Sequence, residues 1–418
     1  MTADLDVDVA VVGAGPAGLA TGLAMAELGL KAAVIGPPAD PRDGRSAALF
    51  QGSIQLLKRV GAWPLIESAA EPLDAIRLVD ATEALFRAPE VTFEAREIGA
   101  EAFGYNVPNS VLTAALEQLA AKRLTRVVTP AVTAIEIGTQ TVRLVTENAG
   151  TISAPLLAAA DGRASSSRLA AGIETRSWSY DQAAVVCGFS HSRQHKRIST
   201  EFHRRSGPLT VVPGPGQTSN LVWVETPDEA RRLEAYSDLE FAAALAHQLS
   251  GLLGTLSGFS PRRVFPLSGQ TAVMLGKNRV ALVGEAGHVM PPIGAQGLNL
   301  SLRDAATLAE IAATARDAGE DIGGPTVLAR YDSARRPDVT SRIWTIDLLN
   351  RSLISSFAPV HYLRGLGLFA LSTLSPLRRY VMRDGMSPES SMPLLMCEPV
   401  NTWDGDATAL DEASVRRA

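Results

Sequence analysis

Gly13, Gly15 and Gly18 stand between an apolar run (residues 7–12, VDVAVV) and a stretch of small residues, and their spacing could do chemistry. A GxGxxG turn that leaves a strand and opens a helix binds the pyrophosphate of a dinucleotide. Gly13 permits the tight turn, Gly15 lets the backbone approach the phosphates, and Gly18 lets the helix pack closely on the strands. The helix start at Pro16 and Ala17 then offers free N–H groups and the positive end of its dipole. Such a fold usually closes its second strand with an Asp or Glu for the ribose, about 20 residues on. Here Val34-Ile35 runs into Gly36-Pro37-Pro38, and the acid is missing. That counts against a plain nicotinamide dehydrogenase more than against a protein that holds its dinucleotide through many other contacts.

Nucleophilic and metal chemistry have little to stand on. There is no GxSxG, no HExxH and no credible catalytic triad, and the 6 histidines are scattered. Cys187 and Cys397 are isolated, which makes neither a zinc site nor a disulfide framework and points to a reducing cytoplasm.

Three more segments carry residues suited to a bound cofactor. In 44–63 (GRSAALFQGSIQLLKRVGAW), Arg45 follows a turn and precedes a helix, where its fork can reach a phosphate or a ring edge. An exposed loop arginine is the alternative. In 159–168 (AADGRASSSR), Asp161-Gly162 closes a strand at the carboxyl edge of the sheet, where open α/β folds bind ligands, or is simply a turn. In 279–305, a buried strand ends at Gly284-Glu285, and Gln296-Gly297-Leu298-Asn299 opens a second helix whose N–H groups could face an anionic ring edge. His288 lies on the same loop, either lining the site or hydrogen-bonded within the structure. Asn109, at the end of Tyr105-Asn106-Val107-Pro108, caps a helix or contacts the cofactor.

In these segments, across most of residues 8–340, the chain resembles the FAD-dependent aromatic hydroxylases. More narrowly it is similar to the ubiquinone-biosynthesis hydroxylases, which share the para-hydroxybenzoate hydroxylase fold. The resemblance implies FAD as cofactor, O2 as co-substrate, and NAD(P)H or a protein as electron donor. It places Arg45, Asp161-Gly162 and the backbone of the 294–299 loop against FAD. Glu285 stands where the family most often has Asp on the ribityl chain, so that contact needs a small shift. The implied reaction delivers oxygen from a flavin C4a-hydroperoxide to the ring of a polyprenylated phenol or quinol. A base for the phenol cannot be chosen, with His203 and Tyr105 as guesses. Pro213, Trp223, Phe265, Pro266 and Leu267 are candidates for the pocket wall, although Trp223 in its alternating strand reads equally well as sheet packing. Two other readings stay open: a same-fold hydroxylase or reductase acting on a soluble aromatic or isoprenoid compound, and a non-catalytic scaffold in a biosynthetic complex.

The elements that must position these residues are legible in outline. The start reads as a βαβ unit, and 175–270 as short strands with a helix near 239–253. The expected class is α/β: a Rossmann-like, discontinuous FAD-binding domain (1–72, 100–175 and 276–325) with an inserted β-sheet-rich substrate domain (73–99 and 176–275). C-terminal helices (326–384) and an irregular tail (385–418) follow. A net charge of -5 gives no reason to expect nucleic-acid binding. No apolar run reaches the roughly 20 residues of a membrane-spanning helix, and the N-terminus lacks a secretory signal. Tyr362–Leu377, followed by Arg378-Arg379, is apolar: it docks at the inner face of a membrane or covers the domain or a partner.

Overall fold

The computed structural model of the protein describes residues 4–38, 40–41, 43–82, 89–354, 367, 369–371, 373–386 and 392–398. Its central feature is a six-stranded sheet in the order Gly276–Lys277, Val280–Leu282, Leu156–Ala159, Val9–Val12, Ala32–Gly36, Thr125–Val128. The last five strands are mutually parallel, and the three in the middle are buried throughout. A strand covered on both faces needs a continuous apolar run, which VAVV, AAVIG and LLAA provide. Helix Pro16–Glu27 packs on this sheet and against helices Asn109–Arg123 and Gln296–Asp317. Because these strands run in parallel, Gly13, Gly36, Ala160-Asp161 and Val283-Gly284 all emerge at one edge.

A four-stranded sheet (Leu5–Asp6, Thr151–Ala154, Val142–Thr146, Val132–Ile137) lies beside it. A small three-stranded sheet joins Ser46–Phe50, Gly104–Pro108 and Glu71–Pro72.

The largest sheet has nine strands, from His288–Val289 through Arg263–Ala272, Thr175–His191, Thr218–Glu225, Gly207–Gly214, Ile198–Arg204 and Ala75–Asp80 to Val91–Glu94, with Leu256–Ser257 at its side. Its two faces differ. Ala183, Val185, Cys187, Phe202, Val211 and Trp223 share a core with Phe241, Leu245 and Leu249 of helix Asp238–Leu249. Ala184, Val186, Val222, Val224 and Leu267 point the other way. Helix Pro227–Ala235 was not foreseen from sequence; Thr226 caps it, accepting from the Glu229 N–H.

The stretch expected to be an irregular tail is partly docked. Leu394–Met396 forms a 3-10 turn with Leu395 and Met396 buried against helix Gln51–Arg59, and Glu310 accepts the Leu395 N–H at 2.7 Å.

A buried ionic network joins the last two long helices to the sheet edge. Asp304 accepts from the Gly284 N–H (3.0 Å), His288 Nε2 (2.6 Å) and Arg335 Nε (2.8 Å). Asp338, on the same helix as Arg335 (Pro325–Ile354), pairs with Arg303 and Arg335. Burial pushes the Asp304 carboxyl up, but His288 and Arg335 outweigh it and hold it below the ordinary range. For Asp338, burial is likewise outweighed by Arg303 and Arg335.

Asp304→Ala strips three buried donors of their acceptor and is expected to cost about 3–5 kcal/mol in urea denaturation at pH 7. Depressed carboxyl pKa values also set a pH dependence. The stability these groups contribute is complete above the unfolded aspartate value of about 3.9 and is lost as pH falls through the lower folded values. An Asp304→Ala protein should therefore lose less stability than the parent between neutral pH and that acid range.

Candidate cofactor and substrate site

The glycine turn divides into positions required by the protein and one that leaves room for something else. Gly13 has φ +114, and a Cβ there would lie 2.1 Å from the Ala160 carbonyl oxygen. At Gly18 it would lie 1.9 Å from the Gly13 carbonyl oxygen. Both are glycine because strand, turn and helix touch through their backbones. Gly15 is different: its φ is -77, and a Cβ would meet nothing within 4 Å. The helix it caps has no acidic residue in its first turn and no side chain on its free N–H groups. An uncapped helix start beside open space is suited to a phosphate.

The neighbouring strand ends complete the edge. Asp161 uses its carboxylate locally, accepting from Ser165 Oγ (2.5 Å) and the Ser167 N–H (3.0 Å). It thereby holds the short helix Ser166–Ala170, and Gly162 (φ +78) faces open space. Where an acid was missing after Ile35, Arg126 is found. Its guanidinium donates to the carbonyls of Gly36 (3.0 Å) and Pro37 (2.8 Å) and pairs with Glu117.

Arg45 enters from the small sheet. Its Nε and Nη2 bond both oxygens of Asp43, at 2.9 and 2.8 Å, and its side chain is 53% exposed. The Asp43 bond, opposed by desolvation and aided by Asp43 and Glu285 charge, raises the Arg45 pKa. Exposed Glu285 is thus close enough to act on Arg45. Asn109 does not cap its helix: Pro108 holds the cap position, because the strand runs straight into the helix. The Asn109 N–H instead donates to the Arg45 carbonyl (2.9 Å), and its Nδ2 reaches Asp43 (3.3 Å). Its Oδ1 is buried without a partner.

On the far loop, Ala295 takes a left-handed conformation (φ 54) and helix Gln296–Asp317 begins. Asn299 is fully used. Oδ1 accepts from the Phe50 N–H (2.8 Å) and Ser53 Oγ (2.7 Å), and Nδ2 donates to the Ala48 (2.8 Å) and Ala295 (2.7 Å) carbonyls. It therefore staples the Arg45 segment to this loop. Gln296 Nε2 bonds the Gly294 and Gly385 carbonyls, Leu298 packs on the core, and Gly294 and Gly297 face open space. His288 is buried on Asp304, the structural arrangement of the two considered from sequence.

The sheet face opposite helix Asp238–Leu249 meets Arg45. The Arg45 guanidinium lies 5.9 Å from the Phe265 ring centre, and a cleft is lined by Gly44, Arg45, Val186, Ser260, Arg263 and Phe265. Leu267 shares that apolar face. Pro266 alternates away from Phe265 and is exposed, while the Pro213 carbonyl accepts from Asn106 Nδ2 (2.8 Å). Trp223 is not on this face: it is packed beside Phe241 (5.9 Å), its indole N–H on Glu225. Tyr105 packs edge-on against Trp63. His203 is on the same side of the sheet as Val222 but three strands from Val186, buried and not among the residues lining the cleft. Its Nε2 is 2.8 Å from Glu201 Oε1, Thr210 Oγ1 bonds the same carboxylate, and His203 Nδ1 is buried without a partner. Sequence reading missed Asp43, Arg126 and Glu201. The ExH alternation of Glu201 and His203 on one strand was the only local signal among them.

Together, the edge offers an uncapped helix start at Gly15, a second helix start at Gln296 and a charged fork at Arg45, around open space at Gly15, Gly162, Gly294 and Gly297. These fit a dinucleotide with a pyrophosphate at one end and a planar, partly anionic ring at the other.

A family model described as FAD binding domain matches residues 6–343. The chain is 35% identical over 394 residues to the ubiquinone hydroxylase UbiL of Rhodospirillum rubrum, covering 92% of this chain and 90% of that protein. It is 30% identical to the ubiquinone hydroxylase UbiM of Neisseria meningitidis, covering 91% of this chain and 84% of that protein. Among solved structures, p-nitrophenol 4-monooxygenase from Pseudomonas putida superimposes with a TM-score of 0.74 at 19% identity, over 91% of this chain and 98% of that one. That likeness is one of fold.

Substitutions in the turn separate cradle from scaffold. Gly15→Val should leave the melting temperature of the FAD-free protein unchanged while weakening FAD binding by about tenfold or more in a flavin-fluorescence titration. Gly18→Ala should lower the FAD-free melting temperature itself.

Proposed function

Since the chain belongs to the family of FAD-dependent monooxygenases that includes the ubiquinone hydroxylases, we propose that it hydroxylates the ring of a polyprenylated phenol or quinol intermediate of ubiquinone biosynthesis. The observation that carries this reading is the apolar sheet face, with Val186, Val222, Leu267 and Phe265, turned toward the segment that bears Arg45. An aromatic ring with a long apolar substituent is recognised by such an apolar wall, with Arg45, Ser260 and Arg263 at the cleft to engage its polar groups.

Bound FAD, reduced by an electron donor, supplies the oxygen chemistry. The chain supplies position and dryness. Gly15 and the N–H groups after it would hold the pyrophosphate, near Arg45, whose guanidinium is fixed by Asp43. The N–H groups from Gln296 onward, fixed by Asn299, would be available to the anionic ring edge of a bound flavin. The sheet face closes over the substrate and keeps water out.

Hydroxylation of a phenol is aided when its O–H proton is drawn off, which makes the ring more electron-rich. On the same side of the sheet His203 has the right form. Nε2 donates to Glu201, which orients the ring and leaves the Nδ1 lone pair as an acceptor. His203 Nδ1 takes the substrate proton, and Glu201 stabilises the imidazolium that results.

Deleting the gene should make a prenylated phenol or quinol build up, read by mass spectrometry of lipid extracts; no accumulation would sink the assignment. In purified protein, His203→Gln should lower kcat for hydroxylation by about a hundredfold with little change in KM. Its FAD content should match the parent's.

A further inference from the structure

One buried amide ties the small sheet that bears Arg45 to the nine-stranded sheet. Asn106, on strand Gly104–Pro108, is 2% exposed. Its Nδ2 donates to the Pro213 carbonyl (2.8 Å) and to Asn220 Oδ1 (3.0 Å). A carbonyl only accepts, so the Pro213 bond decides which end of the Asn106 amide faces the large sheet. Asn220 must then meet Asn106 with its oxygen and turn its own Nδ2 the other way.

That Nδ2 arrives beside the cleft. In strand Thr218–Glu225, Leu221 faces helix Asp238–Leu249, so Asn220 and Val222 point to the opposite side, with Val186. Asn220 pairs with Gly188 of the next strand. A Cβ on Gly188 would lie 3.6 Å from Asn220 Nδ2 and 3.7 Å from Ser260 Oγ, so amide and hydroxyl flank the same bare stretch of backbone. Ser260 Oγ accepts from the Gly188 N–H (2.8 Å), which leaves its O–H hydrogen to donate. Among the described residues, neither that hydrogen nor Asn220 Nδ2 has an acceptor.

Ser260 lines the cleft together with Arg45 and Arg263. Arg263 is exposed and has no carboxylate partner among the described residues, while Arg45 is held on one side by Asp43. Amide, hydroxyl and two guanidinium groups all donate, and no carboxylate is among the residues lining the cleft. Such a set suits an oxygen that accepts without donating, and the two cations favour one that is charged.

We infer that Asn220 Nδ2 and the Ser260 hydroxyl bind an anionic oxygen on the substrate ring, a phenolate or a ring carboxylate, with Asn106 as the positioning residue. Arg263 adds positive charge beside them, and Val186 and Phe265 take the ring itself. The ring-bearing substrate is that of the proposed function; the oxygen site does not depend on which group takes the phenol proton. Of the apolar stretch 362–377 noted in the sequence, residues 362–366, 368 and 372 lie outside the described residues, and the site uses none of the stretch.

The test uses the FAD-loaded protein at neutral pH and follows flavin difference absorbance with three probes that share one apolar tail: geranyl-substituted benzene, phenol and hydroxybenzoate. At least one oxygen-bearing probe should bind about tenfold tighter than the benzene. A phenolate band on binding the geranyl phenol assigns the oxygen to the phenol, and a gain confined to the hydroxybenzoate assigns it to the carboxylate. Asn220→Asp keeps the acceptor for Asn106 and removes the donor, so FAD content and melting temperature should match the parent's. It should lose the preference while still binding the benzene. Asn106→Leu should lose most of the preference as well, although Asn220 and Ser260 remain. Equal binding of all three probes by the parent would overturn the inference, as would an unchanged preference in Asn220→Asp. A gain confined to the geranyl phenol with no phenolate band would overturn it too. Should Asn220→Asp behave as expected while gene deletion leaves prenylated phenols unchanged, the oxygen site stands and the substrate assignment fails.

Discussion

The carboxylate of Asp304 is the point on which the cofactor edge depends. It is fully buried and accepts from three separate places: the backbone at Gly284, where a core strand ends; His288, on the loop beyond; and Arg335, on the next long helix. A glycine-rich loop has little side chain to anchor it, and fixing one residue's backbone costs roughly 1–2 kcal/mol. Asp304 meets that cost from the protein side, and Asn299 does the same one turn earlier by filling all four of its hydrogen bonds. Their effect is preorganisation: backbone N–H groups are held in place before any charge has to be stabilised.

This explains why so few side chains at the site point into it. Asp161, Asn299 and His288 all have the residue types of cofactor ligands, yet each spends its polar atoms on backbone or on a neighbour. Backbone at Gly15 and Gln296 and the buried Asn109 Oδ1 have no partner of this kind, and the half-exposed Arg45 guanidinium is held on one side by Asp43. The nine-stranded sheet shows the same economy. One face is stacked with aromatic and aliphatic residues against helix Asp238–Leu249. The other face carries Ala184, Val186, Val222, Val224 and Leu267, and the Glu201–His203 pair. A buried carboxylate is costly unless paired, and His203 and Thr210 supply that pairing for Glu201.

Much of this could be read from residues alone, for a physical reason. A tight turn between strand and helix is a local constraint, and Gly13 and Gly18 are glycine because of atoms a few ångströms away. The α/β class and FAD as the cofactor followed from local runs of this kind. What failed was whatever needed a partner distant in sequence. Asn109 read as a cap or a cofactor contact; Pro108 takes the cap position, and Asn109 meets Asp43 and Arg45. Trp223 sits in an alternating strand, and alternation shows that a strand has two faces without showing which one meets the cofactor. Arg126 closes the strand end where an acid was sought, from 90 residues away. Strands Ala75–Asp80 and Val91–Glu94 were legible, while their pairing beside Ile198–Arg204 was not.

The central claim is that a backbone cradle around FAD serves to place one atom of O2 on the ring of a polyprenylated phenol. The most direct measurement supplies the purified, FAD-loaded protein with that substrate class, an electron donor and oxygen-18 gas, and weighs the product. The account predicts a hydroxylated product carrying one oxygen-18 atom. A product whose new oxygen comes from water, or consumption of oxygen with no labelled product from any prenylated phenol, would contradict it.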